Sequence, residues 1–241
     1  MADVIRFVLS CEHGGNEIPA PYATHFASAE ARAALASHRG WDPGSVEVAE
    51  RLARVLDAPL VVQRVSRLLV ECNRSIDHPK LWSEFSAGLS DVEKAHVLFR
   101  HWQAHRDAVR RAISKVEPGA LVVHVSVHTF TPVWDGRPRA TDVGLLYDPA
   151  RVGERRVAMA WQRALAREAP ARGLGVHLNR PYRGWTDGLV TALRREIPES
   201  RYLGFELEVS QGLVPVPAGL VDAMAGTLLA AASRTADHTT G

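Results

Sequence analysis

Three histidines and a few carboxylates stand where this chain could do chemistry. His13 follows an apolar run in Ser-Cys-Glu-His-Gly-Gly, and the two glycines allow a tight turn with room beside the imidazole. His124 and His128 lie in Val-His-Val-Ser-Val-His-Thr, where alternation puts both, with Ser126, on one face of a strand and Val123, Val125 and Val127 on the other. Four residues of strand span about 13 Å, too far for both rings to hold one ion. His128, at the strand end, is therefore the candidate ligand, and His124 a structural or supporting residue. Asp42, in Gly-Trp-Asp-Pro-Gly, would complete a set of two imidazoles and a carboxylate that suits zinc with one position left open. The competing reading makes Asp42 the N-cap of the helix that follows. Glu17, four residues after His13, is its rival as ligand, with Glu12 and Glu71 weaker rivals.

Glu206 and Glu208 share one face of an apolar strand, a costly placement unless a cation or hydrogen-bond donors meet them. A carboxylate beside a metal centre can take a proton from water and return it to a departing amine, as amide hydrolysis requires. Arg67, Arg74 and Arg183, with Asn73 and Tyr182 near them in sequence, offer planar guanidinium forks matched to a substrate carboxylate.

Six runs predict strands, over 5–10, 60–65, 121–127, 143–147, 174–178 and 202–209. Helical spacing between them predicts helices over 46–56, 92–113, 157–165, 189–197 and 220–232, with 66–90 and 129–141 as long loops. This alternation is the pattern of an α/β domain with a mixed, largely parallel sheet covered on both faces. Ligands in such sheets bind beyond the carboxyl ends of the strands. The residues expected there are Cys11-Glu12-His13, Glu71 to Arg74, His128-Thr129, Asp148, Asn179-Arg180 and Glu208 to Gln211.

The 241 residues are 46% hydrophobic and 23% charged, as in ordinary soluble domains. A net charge of +2 without a basic block gives no support to a nucleic-acid partner. No apolar stretch approaches the roughly 18 residues of a membrane span. The run Phe7-Val8-Leu9 is shorter than the apolar core of a secretory signal, about 7–15 residues. Two cysteines allow at most one bridge and no disulfide framework. The expectation is a cytoplasmic protein with one domain over residues 1–241 and a loose tail over 234–241.

Taken in order, several segments resemble the N-formylglutamate amidohydrolase family over roughly residues 5–215. They are Cys-Glu-His-Gly-Gly-Asn-Glu-Ile-Pro at 11–19, Trp41-Asp42-Pro43-Gly44, Ser66-Arg67-Leu68 with Asn73-Arg74-Ser75, Val-His-Thr-Phe-Thr-Pro at 127–132, Asn179-Arg180-Pro181-Tyr182 and Glu206-Leu207-Glu208-Val209. The resemblance implies a single-domain three-layer α/β/α sandwich, similar to zinc-dependent exopeptidases, and a zinc-dependent amidohydrolase. It implies that His13, Asp42 and His128 hold the zinc and that Glu208 is the general base. Asn73 and Arg74, with Arg67 and Tyr182 close by, would meet an acidic group on the substrate. Imidazole and carboxylate ligands also accept other divalent transition metals. The implied substrate is a small N-acyl amino acid, N-formyl-L-glutamate first, giving formate and L-glutamate. Two features depart from the pattern. Val209-Ser210-Gln211 follows Glu208 where the family prefers an arginine and then acidic or amide residues, and the His-x-x-Glu signature of carboxypeptidases is absent because Asn16 holds that offset and Glu17 follows it. Hydrolysis of another N-acyl amino acid or a short peptide, or non-catalytic zinc or anion binding in the same cleft, are the other readings.

Overall fold

Six apolar segments pair into one sheet, and their order decides which polar ends gather. In the computed structural model, which describes residues 4–236, they are β1 (Ile5–Cys11), β2 (Leu60–Val62), β3 (Leu121–Phe130), β6 (Val143–Leu146), β7 (Val176–Leu178) and β8 (Tyr202–Ser210). A small hairpin, β4 (Val133–Trp134) and β5 (Arg137–Pro138), stands apart. The sheet order is β2-β1-β3-β8-β6-β7, parallel throughout except where β6 runs antiparallel to β8.

Helices cover both faces. On one side α2 (Ser45–Leu56), α5 (Val152–Leu165) and α7 (Ala218–Ala236) bury Leu52, Trp161 and Met224 against Phe7, Leu9, Val123, Val125, Phe205 and Leu207 of the strands. On the other, α4 (Ala104–Ser114) and α6 (Leu189–Glu196) set Val109, Ile113, Leu189 and Leu193 against Val8, Val122 and Tyr202. The result is a three-layer α/β/α arrangement. A third apolar cluster, including Tyr22, Phe26, Leu69, Leu81 and Val97, fastens the segments around α1 (Ala29–Ala36) and α3 (Asp91–Val97) beside the sheet. Local signals set several helix starts: Ser28 caps α1 by accepting from the Ala31 N–H, and Ser90 with Glu93 forms a capping box on α3.

All six expected strands are present, with shorter bounds at three, β6 by one residue at its end. Residues 63–65 leave the sheet after β2, where Val65 pairs instead with Glu17 in an isolated bridge, and β7 begins at Val176. The expected helix over 92–113 is α3 and α4 joined by a π-helical turn, Leu98–Gln103. Helix α1 was not anticipated, because its alanine-rich segment has only a weak apolar face. The expected loop over 129–141 contains the end of β3 and the β4–β5 hairpin. The expected tail over 234–241 is corrected in part: α7 continues to Ala236, and 237–241 lie outside the described residues. No helix among the described residues is long and apolar enough to cross a membrane.

Antiparallel β6 also changes the site edge. Only β1, β2, β3 and β8 end there, so Asp148 and Asn179, which follow β6 and β7, leave at the opposite edge. The chain then folds back over β6: a Cβ on Gly144 would lie 2.0 Å from the Arg180 carbonyl oxygen, so only glycine lets this segment cross so closely. Phe205 is fully buried at the centre of the main core, edge-on to Trp161. Phe205→Ala is expected to lower unfolding free energy by about 3–5 kcal/mol, measured by urea denaturation, with the denaturant slope unchanged.

Candidate active site

The site grows from the alternate face of β1, β3 and β8, the face turned away from the larger core. Ser10, His124, Ser126, His128 and Glu208 occupy it, all buried. Parallel register sets Ser126 beside Glu206 and His128 beside Glu208. His13 enters just beyond β1, and Asp42 enters on the loop before α2, its N–H bonded to the His13 carbonyl at 2.9 Å. The N-cap of α2 is Gly44, at φ +83°, so the Asp42 carboxylate is not spent on the helix start.

His13 Nδ1, His128 Nδ1 and Asp42 Oδ2 form a triangle with sides of 3.2, 3.1 and 3.2 Å. Tetrahedral zinc with bonds of about 2.0–2.1 Å holds its ligand atoms roughly 3.3 Å apart, so the donor set fits that ion. Among the described residues this is the one such group of His, Cys, Asp or Glu. Glu17 is exposed and does not line the adjoining cavity.

Both rings are fixed from behind. His13 Nε2 meets Glu71 Oε1 at 2.6 Å, and His128 Nε2 meets Ser126 Oγ at 2.8 Å and Glu12 Oε2 at 3.2 Å. Hydrogen bonds of this kind set the tautomer and present the other ring nitrogen to a metal. Glu12 and Glu71, weighed as ligands from the sequence, thus sit on the far side of the imidazoles. Arg67 completes the cluster, its Nε donating to Glu71 Oε2 at 2.7 Å and its Nη1 to Asp42 Oδ1 at 3.4 Å. His124 lies deeper, bonded to Ser10 Oγ at 2.9 Å and to the Tyr202 hydroxyl at 2.7 Å.

The electrostatics of the cluster follow from these contacts. Burial works against charge on Asp42, but His13, His128 and Arg67 outweigh it and hold the carboxyl well below its usual range. Burial likewise opposes charge on Glu71, which Arg67 and His13 keep low, and on Glu12, which His105 and His128 keep low. Burial opposes a proton on His128, yet Asp42, Glu12 and Glu208 raise its affinity for one. His13 is raised by Glu71 and Asp42 against burial and Arg67. A field that favours a proton on these rings also favours a dication between them. His124 is pushed down to about 4, chiefly by burial, and is neutral.

Glu208 is different. Its Oε2 is buried with no hydrogen-bond partner, and burial, then the neighbouring Asp42 and Glu206 carboxylates, push its pKa up to about 8 against the pull of His128. A group poised near neutrality, facing a cavity, is suited to moving a proton.

That cavity, about 510 Å3, is lined by His13, Asp42, His128, Glu206 and Glu208 on its floor. Arg67, Asn73, Arg74, Tyr182 and Asp187 line it as well. Asn73 Oδ1 accepts from the Leu189 N–H at 2.8 Å, which ties its loop to the start of α6. Arg74 Nη1 donates to the Asp187 carbonyl, and Ser75 N–H to the Asp187 carboxylate at 2.9 Å. Arg183 is exposed over the Trp185 ring and does not line the cavity. One residue behind the cavity lining had no sequence signal: the Arg139 guanidinium lies 5.2–5.4 Å from the centres of the Phe130, Trp134 and Tyr182 rings and donates to the Tyr182 hydroxyl at 3.2 Å. Asp187 was also missed, since only the crossing of 180–187 over β6 brings it in, whereas Gln211, expected at the end of the last strand, lines the cavity.

Comparison with solved structures finds a gene product of Agrobacterium tumefaciens at a TM-score of 0.76 and 30% identity, covering 98% of this chain and 92% of that one. An N-acetylmuramoyl-L-alanine amidase of Nostoc punctiforme matches at 0.42 and 13%, covering 95% and 96%. A metallo-carboxypeptidase from Burkholderia cenocepacia matches at 0.39 and 13%, covering 99% of this chain and 58% of that one. No curated protein matches significantly. The model of the N-formylglutamate amidohydrolase family matches residues 5–214, and the chain belongs to that family.

Proposed function

We propose that the protein is a zinc-dependent amidohydrolase acting on a small N-acyl amino acid with an acidic group, first among them N-formyl-L-glutamate, which would yield formate and L-glutamate. The reading rests on one juxtaposition: a triangle of two imidazoles and a carboxylate spaced for zinc, with the unpartnered Glu208 carboxylate beside His128 on the next strand. Zinc, or another divalent metal that takes the same ligands, supplies a Lewis acid and makes water more acidic. Water adds across the C–N bond, its oxygen to the acyl carbon. Glu208 takes one of its protons and gives it to the departing amine nitrogen.

Arg74 and Asn73 receive the substrate's carboxylate. Arg67 acts one step back, because its guanidinium is bound to Glu71 and Asp42, where it holds the ligand set in place. Tyr182 closes the rim, and His124 and Glu206 support the floor. We place the reaction in the cytoplasm, in keeping with two free, buried cysteines.

Amine release from a panel of N-acyl amino acids, with zinc-loaded and metal-stripped protein, tests the reading. N-formyl-L-glutamate should be cleaved by the zinc-loaded form alone, and no release from any member would sink the proposal. Asp42→Ala should lose stoichiometric zinc by elemental analysis while remaining folded. Glu208→Gln should keep one zinc and lose kcat by about 10²–10⁴-fold; unchanged turnover would remove Glu208 from the chemistry. Arg74→Ala should raise KM about 10–100-fold for acidic substrates, the loss of one charge-assisted contact, and leave neutral ones nearly unaffected.

A further inference from the structure

The α3–α4 helix carries a π-helical turn, Leu98–Gln103, whose most visible contacts lead to the loop of Asn73 and Arg74. A π-turn adds one residue to the helix and so rotates the two flanking faces by roughly 100° relative to a continuous α-helix. Here the rotation lets Val97 of α3 join the apolar cluster beside the sheet while Val109 and Ile113 of α4 face the strands. The same turn delivers Trp102. Its Nε1–H donates to the Arg74 carbonyl at 2.9 Å.

Arg106, one turn on, is buried and lies with its guanidinium 4.6 Å from the centre of the Trp102 ring. Its Nη1 donates to the Cys72 carbonyl at 3.1 Å and to the Arg74 carbonyl at 3.4 Å. A planar guanidinium stacked on an indole loses little freedom when it makes such bonds. The rest of the loop is held too: the Asn73 N–H donates to Glu71 Oε1 at 3.0 Å, the Arg74 N–H to the Glu71 carbonyl at 3.2 Å, and the Ser75 N–H to Asp187. The first two bonds anchor the loop to the histidine cluster and the last to the 180–187 crossing. The Trp102–Arg106 pair holds the Cys72 and Arg74 carbonyls from the helical layer.

We propose that Trp102 and Arg106 are positioning residues for substrate recognition: the stacked pair fixes the Cys72 and Arg74 carbonyls and thereby aims the Arg74 side chain into the cavity. Neither residue lines the cavity, so they act through Arg74. The inference rests on the reading of Arg74 as the partner of a substrate carboxylate. It adds that the preference for acidic substrates is set partly from α4, outside the metal cluster.

The test uses Trp102→Phe, which keeps the ring and removes the donor, and Arg106→Lys, which keeps the charge and removes the fork. Three quantities are measured on the full chain: zinc affinity by chelator competition, KM and kcat on whichever N-acyl amino acid the unaltered enzyme cleaves, and hydrogen–deuterium exchange of residues 72–75 with zinc saturating. Each substitution should raise KM about five- to tenfold, as for one or two weakened hydrogen bonds, with kcat within twofold, zinc affinity unchanged and exchange of 72–75 faster. Unchanged exchange in both variants overturns the proposal, as does faster exchange with unchanged KM. A parallel fall in zinc affinity and kcat also overturns it, since that pattern marks general loosening of the fold. The exchange arm needs no substrate. If the unaltered enzyme cleaves nothing, the functional reading has failed and exchange alone decides whether the pair holds the loop.

Discussion

Charge balance in a dry interior is the constraint on which this site depends. An ion withdrawn from water costs several kcal/mol unless its neighbours compensate. Here three carboxylates, Glu12, Asp42 and Glu71, are buried with three imidazoles, His13, His105 and His128, and joined to the partly buried Arg67 in one connected set of bonds. Each carboxylate is held low by its cationic partners against its own burial, and His13 and His128 are raised by the carboxylates against theirs. No member could be removed without leaving another stranded. That interdependence draws Arg67, which looks from the sequence like a substrate clamp and lines the cavity, into the cluster as well. Its fork reaches both Glu71 and Asp42.

The sheet makes the balance possible. Strands β1, β3 and β8 place apolar side chains toward the larger core and reserve the alternate positions for polar ones, so a single register sets the whole polar row. At the row's inner end Ser10, His124 and Tyr202 satisfy one another as neutral groups. At its outer end, where the strands stop and the cavity begins, His128 and Glu208 stand side by side. The chemistry therefore changes along one strand face from closed hydrogen bonding to exposed reactivity. A one-residue slip of β8 would exchange Glu208 for Val209 or Leu207 and drive a carboxylate into the apolar core.

Much of this was legible because it rests on local periodicity. Period-two alternation in 121–128 and 202–209 revealed both the strands and the polar face, and the glycine turn after His13 marked where a side chain could project. What the sequence could not supply was direction and depth. Nothing in 143–147 distinguishes a strand antiparallel to its neighbour from a parallel one, so Asp148 and Asn179 were expected at the wrong edge. Glu12 and Glu71 have the right chemistry for ligands, but whether a carboxylate meets the metal-facing or the far nitrogen of an imidazole is a matter of ångströms set by tertiary packing. Arg139, Trp102 and Arg106 lie in segments whose patterns predict only a loop and an amphipathic helix. Their contacts join residues tens of positions apart, and no local signal encodes them.

The two carboxylates outside the charge balance bear most directly on function. Glu208 leaves a buried oxygen unpartnered, and among the described residues none forms an ion pair with Glu206, although burial raises both. A chain that satisfies Glu12, Asp42 and Glu71 so fully does not lack the means to satisfy two more. Arg74 is near enough for its charge to lower Glu206, yet its Nη1 is bonded to the Asp187 carbonyl. An arginine withdrawn in this way leaves Glu206 without an ion pair beside Glu208, whose proton affinity that neighbouring carboxylate and burial raise, and on the function proposed above it leaves the guanidinium available for an anion that arrives from outside. Pairing Arg74 with Glu206 would stabilise the empty protein, but on the function proposed above it would also neutralise the guanidinium assigned to the substrate carboxylate. The bonds that hold 73–75 in place thus keep apart the Arg74 and Glu206 charges that would otherwise attract, a cost in stability that the proposed role of Arg74 would account for.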